Sequence, residues 1–350
     1  SRLADKVSGI FVPIVMTISL ITFLIHLIVT KSFATSLTYG ISVLVISCPC
    51  ALGLATPIAI MIATGIGAKN HLLIKNAEAL EKLHSIDTVV MDKTGTITTG
   101  KLEINNEVIY DDSFKSIIYS LESMSNHPLA KAISIAYSKE AKQNVTDYQA
   151  IMGKGITGVI NNTKYYSGNL EFIKENCKEK IDIDNNGLSI IILASNEKIL
   201  GYVTLQDKIK DSSKYAISLF KKANIKTIML TGDNENNAKA VKKIVEVDEV
   251  IANVLPDQKA SVVKKIQDEN HKVLMIGDGI NDSIALESAY VSMAIGAGSD
   301  VAISSSDIVL AKNDLLDAYN AYMLSKKTIK NIKMNLFWAF FYNAISIPLA

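Results

Sequence analysis

The stretch that most constrains this chain is a short apolar strand that ends in a single carboxylate. Val89–Met91 is apolar, Asp92 follows it, and the turn-forming run Lys-Thr-Gly-Thr comes next at 93–96. In open parallel sheets, ligands bind in the crevice outside the carboxyl ends of the strands. A carboxylate held there can attack a phosphoryl group as a nucleophile. This stretch therefore predicts a sheet that carries a phosphoryl-transfer site at its edge.

Strand-like and helix-like runs alternate through much of the remaining sequence. Three short apolar runs have the pattern of strands: Thr88–Met91, Lys226–Leu230 and Lys272–Ile276. Three longer runs have helical periodicity and polar faces: Lys208–Ala223, Asn236–Glu246 and Asp257–Glu269. Because strands that alternate with helices build parallel sheets, the predicted fold class is α/β, a doubly wound parallel sheet.

The segment from about residue 99 to 205 departs from this alternation. Two helical runs, Phe114–Leu121 and Leu129–Glu140, are followed by several short strands with turns. We therefore expect an α+β domain at 99–205, inserted into the doubly wound domain. The latter then comprises 68–98 and 206–330.

Both ends of the chain are apolar enough to enter a lipid bilayer. Ile10–Thr30 has about the 20 residues that a spanning helix needs, and a second apolar segment runs from Leu37 to about Gly67. We predict a membrane hairpin over 1–67 and the start of a further transmembrane helix at 331–350. Two buried core helices are the less favoured alternative, because core helices seldom have apolar runs of this length without charges.

Lysines flank these apolar segments on the side of the polar domain. They are Lys69, Lys75, Lys82, Lys326, Lys327, Lys330 and Lys333. Such lysines mark the cytoplasmic side of a membrane. The sequence therefore predicts a multi-pass protein of the cell membrane whose catalytic domains are cytoplasmic.

Charge and cysteine content limit the possible partners. The chain has 36 Lys+Arg against 35 Asp+Glu, which gives no electrostatic basis for a nucleic-acid partner. Its three cysteines, Cys48, Cys50 and Cys177, cannot form a disulfide framework and leave metal ligation open.

Polar residues follow the predicted strands and supply the groups that phosphoryl transfer needs, which are mainly positioning and charge neutralisation. Thr231, Gly232 and the ammonium of Lys259 would surround the phosphoryl oxygens. Asp92 and Asp278 would hold Mg²⁺, a hard cation that prefers carboxylates and water. The predicted catalytic residues are Asp92, Lys93, Thr94, Thr231, Gly232, Asp233 and Lys259. The predicted Mg²⁺ ligands are Asp92, Thr94, Asp278 and Asp282.

Asp-Lys-Thr-Gly-Thr at 92–96 resembles the phosphorylation motif of the P-type ATPases, cation pumps with a haloacid-dehalogenase-like catalytic domain. Thr-Gly-Asp-Asn at 231–234 and Gly-Asp-Gly-Ile-Asn-Asp at 277–282 follow in the family's order. The family usually continues with Ala-Pro, where this chain has Ser283-Ile284, a departure that concerns the local hinge rather than the metal ligand. The resemblance covers essentially the whole chain and implies ATP and Mg²⁺ as cofactors.

The second position after the nucleophile distinguishes two kinds of reaction. Haloacid-dehalogenase-like phosphatases typically have a second aspartate there, which speeds turnover of the aspartyl phosphate. Thr94 cannot act as that general acid or base. We therefore expect a long-lived acyl-phosphate, which favours a pump over a membrane-anchored phosphatase.

The sequence lacks a Gly-x-x-x-x-Gly-Lys-Ser/Thr loop, so the nucleotide is expected to bind to the inserted domain. His127-Pro128 in that domain resembles the nucleotide-binding signature of the heavy-metal P-type ATPases, whose histidine lies by the adenine. The resemblance implies that the nucleotide-binding residues are Glu122, His127, Gly153, Gly155 and Asn169.

Cys48-Pro49-Cys50 lies within the second apolar segment. Residues two apart do not share a face of a regular helix, but a proline breaks the helix and lets both thiols aim into one cavity. Thiolates favour Cu(I) or Zn(II). The motif resembles the transport site of heavy-metal pumps, and Tyr342-Asn343 resembles the signature of their Cu(I) branch. The transported ion is thus expected at Cys48, Cys50, Tyr342 and Asn343.

Together these features predict ATP-driven export of Cu(I) through an aspartyl phosphate at Asp92, with a copper chaperone as a candidate partner. A Zn(II)/Cd(II) pump, a membrane-anchored phosphatase and a non-catalytic metal-binding membrane protein are the alternatives. Relative to the family, we expect four parts to be missing from these 350 residues. They are the Thr-Gly-Glu actuator domain, earlier membrane helices, an amino-terminal metal-binding domain and the last helix.

Overall fold

A computed structural model describes residues 2–47, 50–180, 183, 188–279, 282–296 and 300–346. The helices in the first half of the chain are α1 (Arg2–Thr30), α2 (Phe33–Ile46), α3 (Cys50–Lys69), α4 (Ala77–Leu83), α5 (Phe114–Glu122), α6 (Pro128–Ala136) and α7 (Leu170–Asn176). Those in the second half are α8 (Ser213–Lys222), α9 (Glu235–Val245), α10 (Lys259–Asp268), α11 (Ser283–Ser288), α12 (Asp300–Ser305) and α13 (Leu316–Ser346).

The strands are short and occur in two groups along the chain. The first eight are β1 (Leu72–Ile74), β2 (Thr88–Asp92), β3 (Thr98–Ile109), β4 (Thr146–Ile151), β5 (Gly155–Ile160), β6 (Thr163–Gly168), β7 (Ser189–Ser195) and β8 (Ile199–Ile209). The remaining five are β9 (Lys226–Leu230), β10 (Glu249–Ile251), β11 (Val273–Gly277), β12 (Val291–Ile295) and β13 (Ile308–Leu310).

Seven strands form one sheet, in the order β1-β13-β12-β11-β2-β9-β10. The pairs β9–β10 and β12–β13 are parallel, whereas β1 is antiparallel to β13. Every residue of β2, β11 and β12 is buried, as expected for parallel strands that helices cover on both faces. The predicted doubly wound parallel sheet is confirmed.

The other six strands form an antiparallel sheet in the order β3-β8-β7-β6-β5-β4. Helices α5 and α6 pack on one face, where Phe114, Ile133 and Leu193 share a core. Helix α7 packs on the other face, where Phe172 and Ile192 share a second core. Ile192 and Leu193 fall in different cores because successive residues of a strand face opposite sides. This is the inserted α+β domain that the sequence predicts.

By their internal contacts the residues divide into two units. The first comprises Ser1–Val89, Val263–Met275 and Ser283–Ala350, and the second comprises Val90–Val262 and Ile276–Asp282. The division falls within β2 and β11, so that the carboxyl ends of both strands belong to the second unit together with β9. The predicted catalytic residues therefore lie in one unit.

Helices α1 and α2 form an antiparallel pair in the first unit. The Ser19 hydroxyl donates to the carbonyl oxygen of Gly40 at 2.7 Å, and the His26 and Tyr39 rings stack at 4.1 Å. Within the described residues, α1 alone is both long and apolar enough to cross a membrane, from Gly9 to Thr30. The second predicted apolar segment is divided between α2 and α3, and the membrane hairpin over 1–67 stays a prediction.

Two predicted helices have different bounds in the structure. The run Lys208–Ala223 is helical only from Ser213, because β8 continues to Ile209, which pairs with Thr98 of β3. A strand partner thus overrides the helical spacing of apolar residues at the start of that run. The run Leu129–Glu140 ends as a helix at Ala136.

Candidate functional site

Asp92 is the last residue of β2 and is only 5% exposed. The backbone leaves the strand immediately after it, with Thr94 extended (φ −74°, ψ 127°) and Gly95 at φ 74°. A β-carbon at Gly95 would lie 3.2 Å from Oδ2 of Asp278, so a larger residue would combine a strained backbone with a tight contact. The turn therefore places the carboxylate of Asp278 against the loop that follows Asp92.

The ammonium of Lys259 lies between two buried carboxylates. Its Nζ atom is 2.6 Å from Oδ1 of Asp92 and 2.7 Å from Oδ1 of Asp282. Lys259 is the first residue of α10, whereas Asp92 ends β2 and Asp282 follows β11. Three elements that are distant in sequence thus contribute to one cluster, in which none of the three side chains is more than 7% exposed.

The charges of this cluster depend on one another. Burial raises the pKa of Asp92 to about 7, helped by the negative charge of Asp282 and opposed by Lys259. Burial also raises the pKa of Asp282, although Lys259 opposes the shift. Burial lowers the pKa of Lys259, but the two carboxylates raise it above its usual value. The ammonium therefore stays charged while the carboxylates compete for one partner.

The cluster has more negative than positive charge, which fits a divalent cation. The charge of Asp278 raises the pKa of both Asp92 and Asp282, so three carboxylates repel one another around one ammonium. Oδ2 of Asp282 is buried and has no hydrogen-bond partner among the described residues. No group of three His, Cys, Asp or Glu side chains converges on one point in the described part of the chain. Mg²⁺ would therefore take carboxylates here together with phosphoryl and water oxygens, as this ion commonly does.

A close backbone approach sets the position of Asp282. A β-carbon at Gly277, the last residue of β11, would overlap the carboxyl group of Asp282. Glycine at the strand end therefore leaves the space into which this carboxylate folds, beside Lys259. In the Gly-Asp pair at 277–278, the sequence predicts a role for the aspartate as a Mg²⁺ ligand. The glycine is also needed, because it leaves room for the carboxyl group of Asp282.

Residues after β9 form a second polar group. Oγ1 of Thr231 accepts a hydrogen bond from the backbone N–H of Asp233 at 3.1 Å, and Thr231 is 2% exposed. The Nζ atom of Lys93 lies 2.6 Å from Oδ2 of Asp233. Lys93 thus joins the loop after β2 to the loop after β9, and its charge is paired within the protein. Gly232 lies between Thr231 and Asp233 in the same turn.

Three contributors to this region were missed by sequence reading. Lys210 Nζ donates to the carbonyl oxygen of Gly95 at 2.7 Å and so supports the turn after Asp92. The Thr98 hydroxyl donates to Oδ2 of Asp207, which ties the start of β3 to the end of β8. The sequence pattern did not indicate Lys210, because it lies in a run with helical periodicity. It did not indicate Thr98 and Asp207 either, because they are 109 positions apart in the chain.

All five predicted nucleotide-binding residues line one cavity of about 670 Å³ in the inserted domain. This volume is in the range of pockets for small-molecule ligands. Its walls combine these polar residues with apolar side chains such as Leu129, Ile156 and Ile190. The cavity residues predicted from the sequence are Glu122, His127, Gly153, Gly155 and Asn169.

Glu122 ends α5 at the wall of this cavity and is 4% exposed. The hydroxyl of Ser167, on β6, donates to its Oε1 atom. Burial raises the pKa of Glu122 to about 7, against the effect of this hydrogen bond. The carboxyl group is therefore able to donate or accept a hydrogen bond near neutral pH. Ser167 was not predicted from the sequence.

His127 is the N-cap of α6, and its Nδ1 atom accepts a hydrogen bond from the backbone N–H of Leu129 at 3.3 Å. This bond fixes the ring at the start of the helix and leaves Nε2 as its other polar atom. The imidazole is exposed at the cavity wall. A β-carbon at Gly155 would overlap backbone atoms of Ser167 and Gly168, so the two strands approach too closely there for any side chain.

Asn169 uses both ends of its side-chain amide within the protein. Its Oδ1 atom accepts from the backbone N–H of Phe172 at 2.9 Å and caps α7. Its Nδ2 atom donates to the carbonyl oxygen of Gly153 at 3.0 Å. Asn169 thus connects the start of α7 to the glycine loop of the cavity.

The predicted transport-site residues are only partly described. Cys48 and the side chain of Cys50 lie outside the described residues, and α3 begins at Cys50. In α13, Asn343 is 6% exposed and Tyr342 is 66% exposed. Asn343 is seven residues from Leu336, which packs with Ala59 of α3, so Asn343 shares the face of α13 that contacts α3. The structure does not bring Tyr342 to that face.

Comparisons with known proteins are consistent across sequence and structure. A family model of haloacid dehalogenase-like hydrolases matches residues 86–289. The chain is 44% identical over 362 residues to a probable copper-importing P-type ATPase A of Enterococcus hirae. That alignment covers 100% of this chain and 49% of the Enterococcus protein. It is also 44% identical over 364 residues to a copper-exporting P-type ATPase of Staphylococcus haemolyticus, covering 100% and 45%. The chain thus spans about half the length of the curated relatives it matches.

Solved structures of heavy-metal ATPases also match this chain. A zinc-transporting PIB-type ATPase in the E2·Pi state superimposes with a TM-score of 0.89 and 29% identity, covering 98% of this chain and 58% of that one. The catalytic domain of the CPx-ATPase CopB-B, described in a study of nucleotide binding, matches with a TM-score of 0.61 and 29% identity. That match covers 74% of this chain and 98% of the other.

Proposed function

This chain belongs to the haloacid dehalogenase-like hydrolases, within the heavy-metal P-type ATPases, and we propose that it carries the phosphoryl-transfer and ion-binding parts of an ATP-driven Cu(I) exporter. The contact of Lys259 with Asp92 at the end of β2 is the observation that carries this proposal. It places a nucleophilic carboxylate and a cation for phosphoryl oxygens side by side.

In the proposed reaction, an Oδ atom of Asp92 attacks the γ-phosphorus of ATP. A bond forms between that oxygen and phosphorus, the bond from phosphorus to the β–γ bridging oxygen breaks, and ADP leaves with the bridging oxygen. Asp92 must be ionised to attack, and the ammonium of Lys259 favours that form. As charge shifts onto the phosphoryl oxygens, Lys259 and the backbone of Gly232 are proposed to stabilise it.

The residues proposed to hold Mg²⁺ are Asp92, Thr94, Asp278 and Asp282. When bound there, the ion supplies positive charge that offsets the mutual repulsion of the carboxylates and of the phosphoryl oxygens. Asp282 has a buried oxygen suited to such a role, because the other oxygen already accepts from Lys259.

The cavity of the inserted domain is proposed to bind the nucleotide. Glu122 and His127 contribute polar atoms at its wall. Gly153 supplies the positive φ of its loop, and Gly155 allows β5 and β6 to approach closely beside it. Asn169 is proposed to act by positioning the glycine loop, since both ends of its amide have protein partners.

Cu(I) is proposed as the transported ion, bound by Cys48, Cys50 and Asn343, whereas the exposed Tyr342 lies off the face of α13 that contacts α3. Thiolates suit Cu(I), and the relatives that are 44% identical are named as copper ATPases. A Zn(II)/Cd(II) pump is less well supported, because the zinc-transporting structure is 29% identical. The Staphylococcus relatives are named copper exporters, and on this basis export is proposed rather than import. The Enterococcus relative is named a probable importer. A copper chaperone is the proposed donor, since Cys48 and Cys50 supply the soft thiolates that Cu(I) prefers.

Substitution of the thiols tests the ion assignment. The variant Cys48→Ser/Cys50→Ser is expected to lose Cu(I) binding by this chain in detergent, measured as copper per protein after equilibrium dialysis. Cys177→Ser is the matched control, because Cys177 follows α7 in the inserted domain. In the full-length protein, ATP hydrolysis should be stimulated by Cu(I) and not by Zn(II). Unchanged copper binding by the double variant, or stimulation by Zn(II) alone, would contradict the proposal.

A further inference from the structure

A groove of about 660 Å³ lies along α13, outside the phosphoryl-transfer cluster and the nucleotide cavity. Its lining falls into two chemical parts. One part is basic and the other is apolar. The basic part consists of Lys326, Lys327, Lys330 and Lys333, and the apolar part includes Met334 and Phe337.

These parts follow one another along a single face of the helix. Lys326, Lys330, Lys333 and Phe337 are spaced by four, three and four residues, which places them on one side of an α-helix. From Lys326 to Phe337 the helix rises by about 16 Å, at ~1.5 Å per residue. The groove is thus basic at one end and apolar at the other, over about the length of a headgroup and the first part of an acyl chain.

The positive charge of the groove is not neutralised within the described residues. None of its four lysines has a carboxylate at salt-bridge distance there, and Lys326 instead donates to the Tyr322 hydroxyl at 3.5 Å. Other exposed lysines are paired, for example Lys214 with Glu246. Burial lowers the pKa of His84, which also lines the groove, and the positive charges of Lys333 and Lys272 act in the same direction.

Aromatic residues continue this face toward the apolar end of the helix. The ring of Trp338 lies 5.5 Å from that of Phe337 and 5.6 Å from that of Phe341, and all three side chains are more than 45% exposed. Exposed aromatic rings next to lysines are typical of the level at which a helix enters the membrane surface. The groove therefore has the composition typical of the level at which lipid headgroups lie.

We propose that this groove binds an anionic phospholipid, with the phosphate at the lysines and the start of an acyl chain along Met334 and Phe337. Lysines that have no carboxylate partner among the described residues complement the negative headgroup, and basic pockets beside membrane helices bind such lipids. A soluble phosphate would use the lysines but not the apolar half of the groove, and this favours a lipid. The proposal is independent of which ion is transported.

The only tryptophan of this chain, Trp338, provides a local probe. The 350-residue chain is reconstituted into vesicles of phosphatidylcholine with a minor fraction of phosphatidylglycerol. Bromine is placed on the upper acyl chains of one lipid or of the other, so that composition and surface charge stay constant. We expect brominated phosphatidylglycerol to quench Trp338 more strongly than its mole fraction predicts. Each lysine removed should lower this enrichment by up to about five-fold.

Matched variants separate a site from general attraction to a charged surface. Lys330→Gln/Lys333→Gln should abolish the preference, and Lys330→Arg/Lys333→Arg should retain it. Lys69→Gln/Lys312→Gln removes two lysines that line a different cavity along α13 and should leave the preference unchanged. The single variants Lys330→Gln and Lys333→Gln serve if the double variant does not insert.

Three results would overturn the proposal. One is the absence of a preference for the anionic lipid in the unmodified chain. Another is an equal loss of preference in both glutamine pairs, which would indicate non-specific attraction. The third is displacement of the preference by soluble glycerol 1-phosphate, which would indicate a site for a free phosphate ester.

Discussion

The Nζ atom of Lys259 lies 2.6 Å from Oδ1 of Asp92, and each side chain is 7% exposed. A buried ammonium beside the proposed nucleophile favours the ionised carboxylate before the reaction. The same ammonium can stabilise charge on the phosphoryl oxygens during it. Lys259 is therefore expected to stabilise the ionised carboxylate in the ground state and the phosphoryl oxygens in the transition state.

Loss of this ammonium should impair phosphoryl transfer strongly. We predict that Lys259→Met lowers the rate of phosphoenzyme formation by about 10²-fold or more, the usual effect of removing one such stabilising group. The pKa of Asp92 should rise further in this variant, so the remaining activity should require a higher pH. Rapid quenching of the reaction with labelled ATP measures both effects. Lys264→Met, an exposed lysine of the same helix, is the control. A rate within two-fold of the unmodified chain would contradict the assigned role.

Glu122 should make the stability of the inserted domain depend on pH. Burial raises its pKa from 4.5 to about 7, so the folded state holds a proton that the unfolded state has lost. The contribution of Glu122 to the free energy of unfolding is therefore fully present below pH 4.5, and it is lost as the pH rises from 4.5 to about 7. We predict that Glu122→Gln removes this part of the dependence and stabilises the protein at pH 8 by up to about 3 kcal/mol. Denaturant unfolding at pH 5 and pH 8 measures it, with the exposed Glu171→Gln as control. An unchanged pH dependence in Glu122→Gln would rule out the assignment.

Asn169 allows its capping and positioning roles to be separated. Asn169→Asp keeps the oxygen that caps α7 but replaces the amide donor to Gly153 with a second oxygen. We predict that it weakens ATP binding several-fold, while the free energy of unfolding changes by less than about 0.5 kcal/mol. Asn169→Ala should weaken binding and also cost about 1 kcal/mol of stability, as expected for a lost cap. Isothermal titration with ATP and denaturant unfolding provide the two readings.

The equivalent change at another cap is the control for this experiment. Asn234 caps α9 through the backbone N–H of Asn237 at 3.0 Å and lies outside the nucleotide cavity. Asn234→Asp should leave ATP affinity unchanged. If both Asp variants weaken ATP binding equally, or if neither does, the positioning role of Asn169 is wrong.

Thr94 should determine how long the acyl-phosphate lasts. The residue lies two positions after Asp92, in an extended conformation, and its hydroxyl is a poor general base at neutral pH. We predict that Thr94→Asp speeds hydrolysis of the phosphoenzyme by about 10²-fold or more, since positioned acid–base groups typically contribute that much. Thr94→Asn, which adds no titratable group, should leave the decay slow. Decay is measured by chasing labelled protein with unlabelled ATP. Equal decay rates in the two variants would count against this role.

The sequence predicts the strand ends well, because a buried parallel strand is a run of apolar residues and the polar residue after it stands out. Asp92, Thr231 and Asp278 were found in this way. The partners of Lys259 could not be, since that contact joins residues 167 positions apart in the chain. Ser167 and Lys210 were missed for the same reason, as each acts on a residue distant in sequence.

The sequence also says little about how a side chain divides its hydrogen bonds. Asn169 is predicted from the sequence to bind the nucleotide, yet both ends of its side-chain amide contact the protein. Tyr342 and Asn343 are adjacent in the chain, and helical geometry separates them into an exposed and a buried position. Packing against α3, which no local pattern reports, decides which of the two is buried.

Labelling of Asp92 tests the central claim most directly. This chain is incubated with Mg²⁺ and ATP labelled at the γ-phosphate, and the reaction is quenched with acid. Because no Thr-Gly-Glu sequence occurs in these 350 residues, we expect the acyl-phosphate to accumulate and decay slowly. The label should be stable in acid and released by hydroxylamine. It should be absent from Asp92→Asn and present in the control Asp268→Asn, which changes an exposed residue of α10. Undiminished labelling of Asp92→Asn would contradict the account.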